Sequence, residues 1–249
     1  MKSITGEVIP ESRSTSSAPH PHAAKIARWG FLTNHAIVLT YVVLHPESTV
    51  RAISADVGVT ERATLAMLRD LDEDGIVERH RDGRRNTYSV NFARLSAIRR
   101  GGTVSPLTPS PFVDVIVKTL FEIGKGRADA HVAPVDRLPE HEREARAGTF
   151  GFFTNHMLVL LAISRDHTRT VRELSAAVGL TERAIVGITN QMEAEGIVTR
   201  TREGRRNVYA IDFDAFRKFR GWSLGNWEIP PQLIDVAVKG ISALSARHA

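Results

Sequence analysis

The pattern of apolar and polar positions predicts three helices in the first half of the chain. Thr33 is a favourable N-cap, and the apolar residues that follow it lie mostly on one face of a first helix. These residues are Ile37, Val38, Tyr41, Val42 and Leu44. A short helix over residues 50–57 ends at Gly58, and a longer helix begins after Thr60 and ends at Gly75, because glycine readily adopts the left-handed conformation that terminates helices.

A hairpin and a fourth helix follow. Residues 76–80 and 87–90 have the composition of two short strands, and the polar segment between them contains the turn-forming pair Asp82-Gly83. Farther on, apolar residues recur at helical spacing. They are Val113, Ile116, Val117, Leu120 and Phe121. The predicted order of helix, helix, helix, hairpin and helix gives an α+β class that is mostly helical.

The second half of the chain repeats the first at a constant offset of 121 residues. Between residues 30–95 and 151–216, 29 of 66 positions are identical without a gap, which establishes an internal duplication. The polar, proline-containing stretch between the copies has the composition of a linker, and the N-terminal segment has that of a disordered tail. The predicted organisation is a tail at 1–28, a first domain at 29–124, a linker at 125–149 and a second domain at 150–246.

The composition excludes several classes of protein. The chain has no cysteine, so it forms neither disulfides nor thiolate metal sites, and a reducing cytoplasm is the expected compartment. It contains no apolar run of about 18 residues, so we expect no membrane span. No glycine-rich phosphate loop is present, and His141 to Ala145 completes only half of a zinc-protease motif. We therefore expect neither enzymatic activity nor a cofactor or metal.

The net charge of +5 matters less than its distribution, because each copy is near balance apart from a positive hairpin. Arginines that alternate along a strand share a face from which they reach phosphates. Each hairpin has four arginines and one asparagine at equivalent positions: Arg79, Arg81, Arg84, Arg85 and Asn86, and then Arg200, Arg202, Arg205, Arg206 and Asn207. A solvated hairpin would also be polar, but retention of all four arginines in both copies favours contact with DNA.

Two helices joined by a glycine turn, the second capped by threonine and followed by a basic hairpin, have the arrangement of a winged helix-turn-helix domain. Residues 73–79 and 194–200 resemble the helix-to-wing junction of MarR- and ArsR-like bacterial transcription regulators, and residues 31–35 and 83–88 are similar to small MarR-type proteins of actinobacteria. The resemblance covers about 65 residues of each half. It implies two tandem winged helix-turn-helix domains, each with a C-terminal packing helix, and a double-stranded DNA partner.

The longer helix after each glycine turn is then a recognition helix, which enters the major groove. Counting from the cap predicts two equivalent buried faces: Ala63, Thr64, Met67, Leu68 and Leu71, and then Ala184, Ile185, Ile188, Thr189 and Met192. The predicted outward faces are also equivalent: Thr60, Glu61, Arg62, Leu65, Ala66 and Arg69, and then Thr181, Glu182, Arg183, Val186, Gly187 and Asn190.

The outward faces contain both candidate base readers and a departure from the family. Arg62 and Arg183 are the best candidates to read bases, because an arginine near a helix N-terminus bonds guanine bidentately; contact with a phosphate is the alternative. The Leu65-Ala66 pair and its counterpart in the second copy occupy positions where the family has hydrogen-bonding side chains. The centre of each face therefore offers few hydrogen bonds to base edges, which leaves a weakly specific role open.

The fourth helices leave two arrangements open. The equivalent apolar stripe of the second copy is Ile234, Ala237, Val238, Ile241 and Leu244. Either the two stripes pack on one another, which makes the chain a covalent pseudo-dimer, or each stripe closes the core of its own domain. A homodimer of chains is a further option. His35 and His156, the only histidines that the copies share, are expected to act in local capping or packing.

These expectations favour a bacterial transcription regulator associated with the nucleoid in the cytoplasm. Its target would be an imperfect repeat with half-sites about one helical turn apart. The competing hypothesis is a chromosome-architecture or protein-interaction protein, which the apolar centre of each outward face supports. No small-molecule effector is assigned.

Overall fold

The computed structural model describes residues 29–82, 85–101, 110–125, 151–204 and 206–247. The tail predicted at 1–28 lies outside the described residues, as does nearly all of the linker predicted at 125–149. The described chain is mostly helical with small antiparallel sheets, as the α+β class predicts.

The two copies, called repeat 1 and repeat 2 below, contain the same elements in the same order up to the end of the hairpin. Repeat 1 contains α1 Asn34–Leu44, α2 Val50–Val57, α3 Glu61–Glu73, β1 Val77–Asp82, β2 Arg85–Val90, α4 Phe92–Gly101 and α5 Ser110–Lys125. Repeat 2 contains α6 Asn155–Arg165, α7 Val171–Val178, α8 Glu182–Ala194, β3 Val198–Glu203, β4 Arg206–Ile211, α9 Phe213–Lys218, β5 Ser223–Leu224, β6 Trp227–Glu228 and α10 Pro231–Ser245. The offset of 121 residues between the sequences therefore also relates the first three helices and the hairpin.

Threonine N-caps begin the first three helices of repeat 1, and glycines with positive φ follow the second and third. In repeat 1 the hydroxyl oxygens of Thr33, Thr49 and Thr60 each accept a hydrogen bond from the backbone N–H three residues on, at 3.1 to 3.2 Å. Gly58 ends α2 with a φ of 74°, and Gly179 ends α7 with a φ of 76°, a conformation that other residues rarely adopt. The predicted caps of repeat 1 and the predicted glycine ends are confirmed, whereas Thr154 precedes α6 without a side-chain cap hydrogen bond.

The first helix differs from its prediction. The sequence predicts burial of one face, but every residue from Ala36 to Leu44 is buried. The reason is that α1 packs against α2, α3, β2 and α5, so each of its sides has a neighbour. Thr40 is tolerated in this position because its hydroxyl donates to the Ala36 carbonyl at 2.7 Å.

Each hairpin pairs its strands antiparallel and in the same register. Val77 lies opposite Val90 in repeat 1, and Val198 lies opposite Ile211 in repeat 2. Val77 and Val198 are buried, whereas residues 78–81 that follow Val77 are exposed. The base of each hairpin therefore closes the core, and its outer part extends into solvent.

A short helix follows each hairpin, although the sequence predicts direct passage to the fourth helix. α9 begins after Asp212, whose carboxylate accepts hydrogen bonds from two backbone N–H groups of the first turn at 2.8 and 2.9 Å. Asn91 precedes α4 in the same way, and its Oδ1 accepts from the Arg94 N–H at 2.8 Å. Phe92 and Phe216 of these helices are buried. The prediction was wrong here because such short segments give little periodic signal.

The repeats meet through reciprocal hydrogen bonds just before α1 and α6. The Thr33 N–H donates to the Phe152 carbonyl at 3.2 Å, and the Thr154 N–H donates to the Phe31 carbonyl at 3.0 Å. The hydroxyls of both threonines also cross the junction, each donating to a glycine carbonyl of the other repeat at 2.5 and 2.6 Å. Because equivalent residues exchange equivalent bonds, the junction has the character of a two-fold symmetric dimer interface.

The fourth helices extend this junction. α5 packs against α10, and Gly240 allows their close approach, since a Cβ added there would lie 2.4 Å from Cδ2 of Phe112. Within its own repeat α5 also packs on α1 and α4, and α10 packs on α6 and α9. The helices that carry the two predicted stripes therefore contact one another, and each also packs within its own repeat.

Candidate nucleic-acid interface

The helices α3 and α8 each have one buried and one exposed face. The buried residues are Thr64, Met67, Leu68 and Leu71 in α3 and Ile185, Ile188, Thr189 and Met192 in α8, and Ala63 and Ala184 are half-buried. The two buried threonines satisfy their hydroxyls within the helix: Thr64 donates to the Thr60 carbonyl at 3.1 Å, and Thr189 donates to the Ile185 carbonyl at 3.0 Å. The division into faces agrees with the prediction from the sequence.

The opposite faces are exposed at every predicted position. These positions are Thr60, Glu61, Arg62, Leu65, Ala66 and Arg69, and Thr181, Glu182, Arg183, Val186, Gly187 and Asn190. Arg62 and Arg183 are the second residues of α3 and α8. The unpaired backbone N–H groups of each helix lie at this end, and Glu61 and Glu182 precede the two arginines in the same turns.

An exposed apolar side chain occupies the centre of each face. Leu65 is 44% exposed and Val186 is 38% exposed, and the two residues are equivalent in the duplication. Single exposed apolar side chains are common on protein surfaces, so Leu65 and Val186 are distinguished only by their equivalent places in the two copies. Thymine methyl groups and the apolar surface of a protein are both suitable partners.

The shared histidines connect the first helix of each repeat to the helix that carries the exposed face. His35 Nε2 lies 2.9 Å from Asp70 Oδ2, and His156 Nε2 lies 2.7 Å from Gln191 Oε1. The indole of Trp29 also stacks on the His156 ring with centroids 4.2 Å apart. Both histidines therefore have a packing role, but their partners lie 35 residues away in the sequence and are not local. Burial lowers the pKa of His156, and its hydrogen bond with Gln191 opposes that effect.

The arginines of the hairpins differ in exposure. Arg79 and Arg81 are exposed in β1, as are Arg202 and Arg206 in repeat 2. Asn86 and Asn207 are half-buried and lie opposite an arginine in the strand register. Arg84 and Arg205 lie outside the described residues, and Arg85 is described only as the first residue of β2.

Arg200 is held by α8 and is only half-exposed. Its Nη2 lies 3.0 Å from Glu193 Oε2 and donates to Asn190 Oδ1 at 3.4 Å. The equivalent residues in repeat 1 are Arg79, Asp72 and Arg69. Of these residues, the set of Arg79, Asp72 and Arg69 has a net charge of +1, whereas the set of Arg200, Glu193 and Asn190 is neutral.

In repeat 1 the hairpin and α3 enclose a cleft of about 270 Å³, lined in part by Leu65, Arg69 and Arg79. The structure therefore brings the predicted helix face and the predicted hairpin residues of one repeat together. Tyr88 also lines the cleft, and burial raises the pKa of its hydroxyl while the charge of Arg79 opposes this shift. Among the described residues, neither this buried hydroxyl nor that of Tyr209 has a hydrogen-bond partner.

The described residues contain no group of three or more histidine, aspartate or glutamate side chains placed to hold a metal ion. Within the same ranges, no helix is both long and apolar enough to cross a membrane. No family model, curated protein or solved structure matches the chain. The proposals below therefore depend on the residues and contacts of this chain alone.

The sequence did not predict the segment by which repeat 2 contacts the helix turn of repeat 1. This segment, here called the strap, consists of residues 220–228: a 3-10 turn, Arg220–Trp222, and the hairpin of β5 and β6. The sequence does contain a sign of the strap, at positions where the two copies differ. Tyr41 and Asp56 of repeat 1, which lie beneath the strap, correspond to Ala162 and Ala177 in repeat 2.

Proposed function

We propose that this protein is a DNA-binding transcription regulator with two winged helix-turn-helix domains, which act as a pseudo-dimer on one two-part site in double-stranded DNA. One observation carries the proposal. α3 and α8 expose the same face, each with an arginine in the first turn, within a chain whose halves meet through reciprocal contacts. Symmetric protein dimers read repeated half-sites for the same geometric reason.

Each part of the face has a chemical role in this proposal. The N-terminal turns of α3 and α8 enter the major groove, where Arg62 and Arg183 read guanine. The exposed arginines of the hairpins contact phosphates or the adjacent minor groove and supply affinity that depends weakly on sequence. Leu65 and Val186 contact thymine methyl groups, which explains apolar side chains at the centre of the face.

The two half-sites are expected to be similar but not identical. The outward faces agree at the threonine, glutamate and arginine of the first turn, so the start of each half-site should be the same. They differ farther along, where Leu65, Ala66 and Arg69 are replaced by other residues. The target is therefore an imperfect repeat.

Selection of bound duplexes from a random pool tests the function directly. We expect enrichment of a two-part imperfect repeat, with one chain bound per duplex in sedimentation at micromolar concentration. Failure to retain any duplex would refute DNA binding. Retention that depends strongly on salt but enriches no motif would refute sequence-specific regulation.

Leu65 and Val186 favour one alternative, a chromosome-architecture or protein-interaction role, because exposed apolar residues also fit a protein partner. Replacing both by serine separates the two functions. In the regulator, the double variant loses preference for thymine at matching positions of both half-sites. In the alternative, it binds DNA as before and loses its protein partner.

A further inference from the structure

The strap of repeat 2 is anchored on repeat 1 at its beginning. Trp222 is buried, its ring centroid lies 5.3 Å from that of Phe31, and its Nε1–H donates to the Phe216 carbonyl at 2.8 Å. At Gly221 the backbones are so close that an added Cβ would lie 2.6 Å from the Trp29 carbonyl oxygen. The strap therefore starts at the reciprocal junction between the repeats.

The tip of the strap lies on the turn between α2 and α3. The Asn226 N–H donates to the Asp56 carbonyl at 2.9 Å, next to the end of α2. Gly225 lies against Gly58, and a Cβ added to either glycine would come within 2.6 Å of backbone atoms of this contact. Both glycines have positive φ, 61° for Gly225 and 74° for Gly58. The contact thus requires glycine at both positions.

Two aromatic side chains secure this tip. The ring centroids of Trp227 and Tyr41 are 5.4 Å apart, and the Tyr41 hydroxyl donates to Asp56 Oδ2 at 2.6 Å. Burial and the hydrogen bond to Asp56 both raise the pKa of Tyr41, so the hydroxyl keeps the proton that it donates. Strap, α1 and the end of α2 form one connected cluster.

The side chains of this cluster are not repeated in the second copy of the sequence. Tyr41 and Asp56 correspond to Ala162 and Ala177, and Gly225 corresponds to Val104, a residue that strongly disfavours the left-handed conformation. Among the described residues, nothing lies within 4 Å of a Cβ added to Gly179, the counterpart of Gly58. Within the part of the chain that the structure describes, the two halves therefore differ at the helix turn.

We propose that the strap determines the spacing of the two-part DNA site. This inference rests on the proposed function, because it concerns how α3 and α8 are held relative to one another. Gly58 lies four residues before Arg62 in the turn from which α3 begins. A strap that fixes this turn to repeat 2 fixes the start of α3, so only one separation of the half-sites allows both helices to bind.

Two glycine variants form a matched test. Gly58→Ala and Gly179→Ala introduce the same side chain at nearly the same φ, 74° and 76°, so their backbone costs are alike. Only Gly58→Ala collides with the strap, through Gly225. Each variant is measured by fluorescence anisotropy on the selected two-part duplex and on a duplex whose half-sites are moved by about half a helical turn, ~5 base pairs.

We expect the wild type and Gly179→Ala to prefer the selected spacing, and Gly58→Ala to lose about fivefold or more of that preference, as is typical of coupling between two sites. Trp227→Ala is expected to act like Gly58→Ala. Because it leaves the turn itself unchanged, it still tests the strap if Gly58→Ala impairs folding. Hydrogen exchange at the Asn226 amide should increase in both strap variants and stay slow in Gly179→Ala.

Three results would overturn the proposal, and they differ in meaning. If Gly58→Ala and Trp227→Ala bind DNA and keep the wild-type spacing preference, the strap does not set the spacing and the regulator function stands. If the wild type binds no duplex, the regulator function fails and this role of the strap fails with it. An equal loss of preference in Gly58→Ala and Gly179→Ala, with Trp227→Ala unchanged, would assign the effect to turn strain and also overturn the proposal.

Discussion

Arg62 and Arg200 carry the same charge in different surroundings. Arg62 is exposed at the start of α3, whereas Arg200 forms an ion pair with Glu193 at 3.0 Å. The carboxylate of Glu193 neutralises the charge of Arg200 and occupies one of its donors, which weakens its attraction for a phosphate. The exposed arginines of the first helical turn are therefore the residues whose replacement should have the sharpest effect on recognition.

Arg62→Ala is expected to relax the sequence preference in one half-site by roughly 1–3 kcal/mol, the discrimination that a bidentate arginine provides. Arg183→Ala should have the same effect in the other half-site. Anisotropy measurements with duplexes altered in one half-site at a time give both values. Equal losses in both half-sites for a single variant would contradict base reading by these arginines.

His156 provides a prediction about pH. Its pKa is lowered in the folded state because the ring is buried, so the unfolded chain takes up the proton at a higher pH than the folded chain does. The folded state is therefore expected to lose stability as the pH falls below about 6.5. His156→Gln removes the titration and keeps a group that can bond to Gln191, so it should flatten this part of the profile.

Urea denaturation of both proteins at about pH 7.5 and 5.5 measures the free energy of unfolding that the prediction concerns. The quantity compared is the stability change of the wild type between the two pH values minus that of the variant. Parallel profiles would show that the His156 ring does not resist protonation in the folded chain.

Elements bounded by local signals were predictable from the sequence, and elements defined by distant contacts were not. Thr60 and Gly75 adjoin the helix that they bound, so the ends and exposed face of α3 follow from sequence. The burial of α1 on all sides depends on where α5 lies, which no local pattern encodes. The ion pair of Arg200 likewise depends on how the hairpin lies against α8. The strap escaped prediction because its strands have two residues each.

The hairpins are the elements expected to supply affinity that is independent of sequence. The double variant Arg84→Ala and Arg85→Ala should weaken binding to every duplex and reduce the slope of log affinity against log salt by about one for each phosphate that is no longer neutralised. Lys118→Ala with Lys239→Ala removes the same charge from exposed positions on α5 and α10 and serves as the control. Affinities of the hairpin variant equal to those of the control at several salt concentrations would show that these arginines do not bind DNA.

At the scale of the whole molecule, the two repeats are joined by reciprocal bonds and by the contact between α5 and α10. Thr33 takes part in both local and long-range structure, because its hydroxyl accepts from the Ala36 N–H and donates to the Gly151 carbonyl. Among the described residues, the hydroxyl of Thr49 forms only the N-cap hydrogen bond, in which it accepts from the Ala52 N–H at 3.1 Å. Comparing variants of Thr33 and Thr49 therefore separates the contribution of the junction to stability from that of a helix cap.

Thr49→Ala is expected to lower the free energy of unfolding by about 1 kcal/mol, the usual cost of losing an N-cap. Thr33→Ala should cost about 1 kcal/mol more, because it also removes a hydrogen bond between the repeats. Urea denaturation of the two variants beside the wild type gives both differences. Equal costs would mean that the Thr33 hydroxyl does not stabilise the junction.

The joining of the two repeats in one chain affects how occupancy of a target depends on protein concentration. Two separate chains that form a dissociable dimer must first assemble, so at low concentration the occupancy of their target rises with the square of the protein concentration. Here both halves belong to one polypeptide, so under the proposed function the second half would reach its half-site at the high effective concentration of an intramolecular event. A regulator built in this way responds in proportion to the number of its molecules, without a threshold set by assembly.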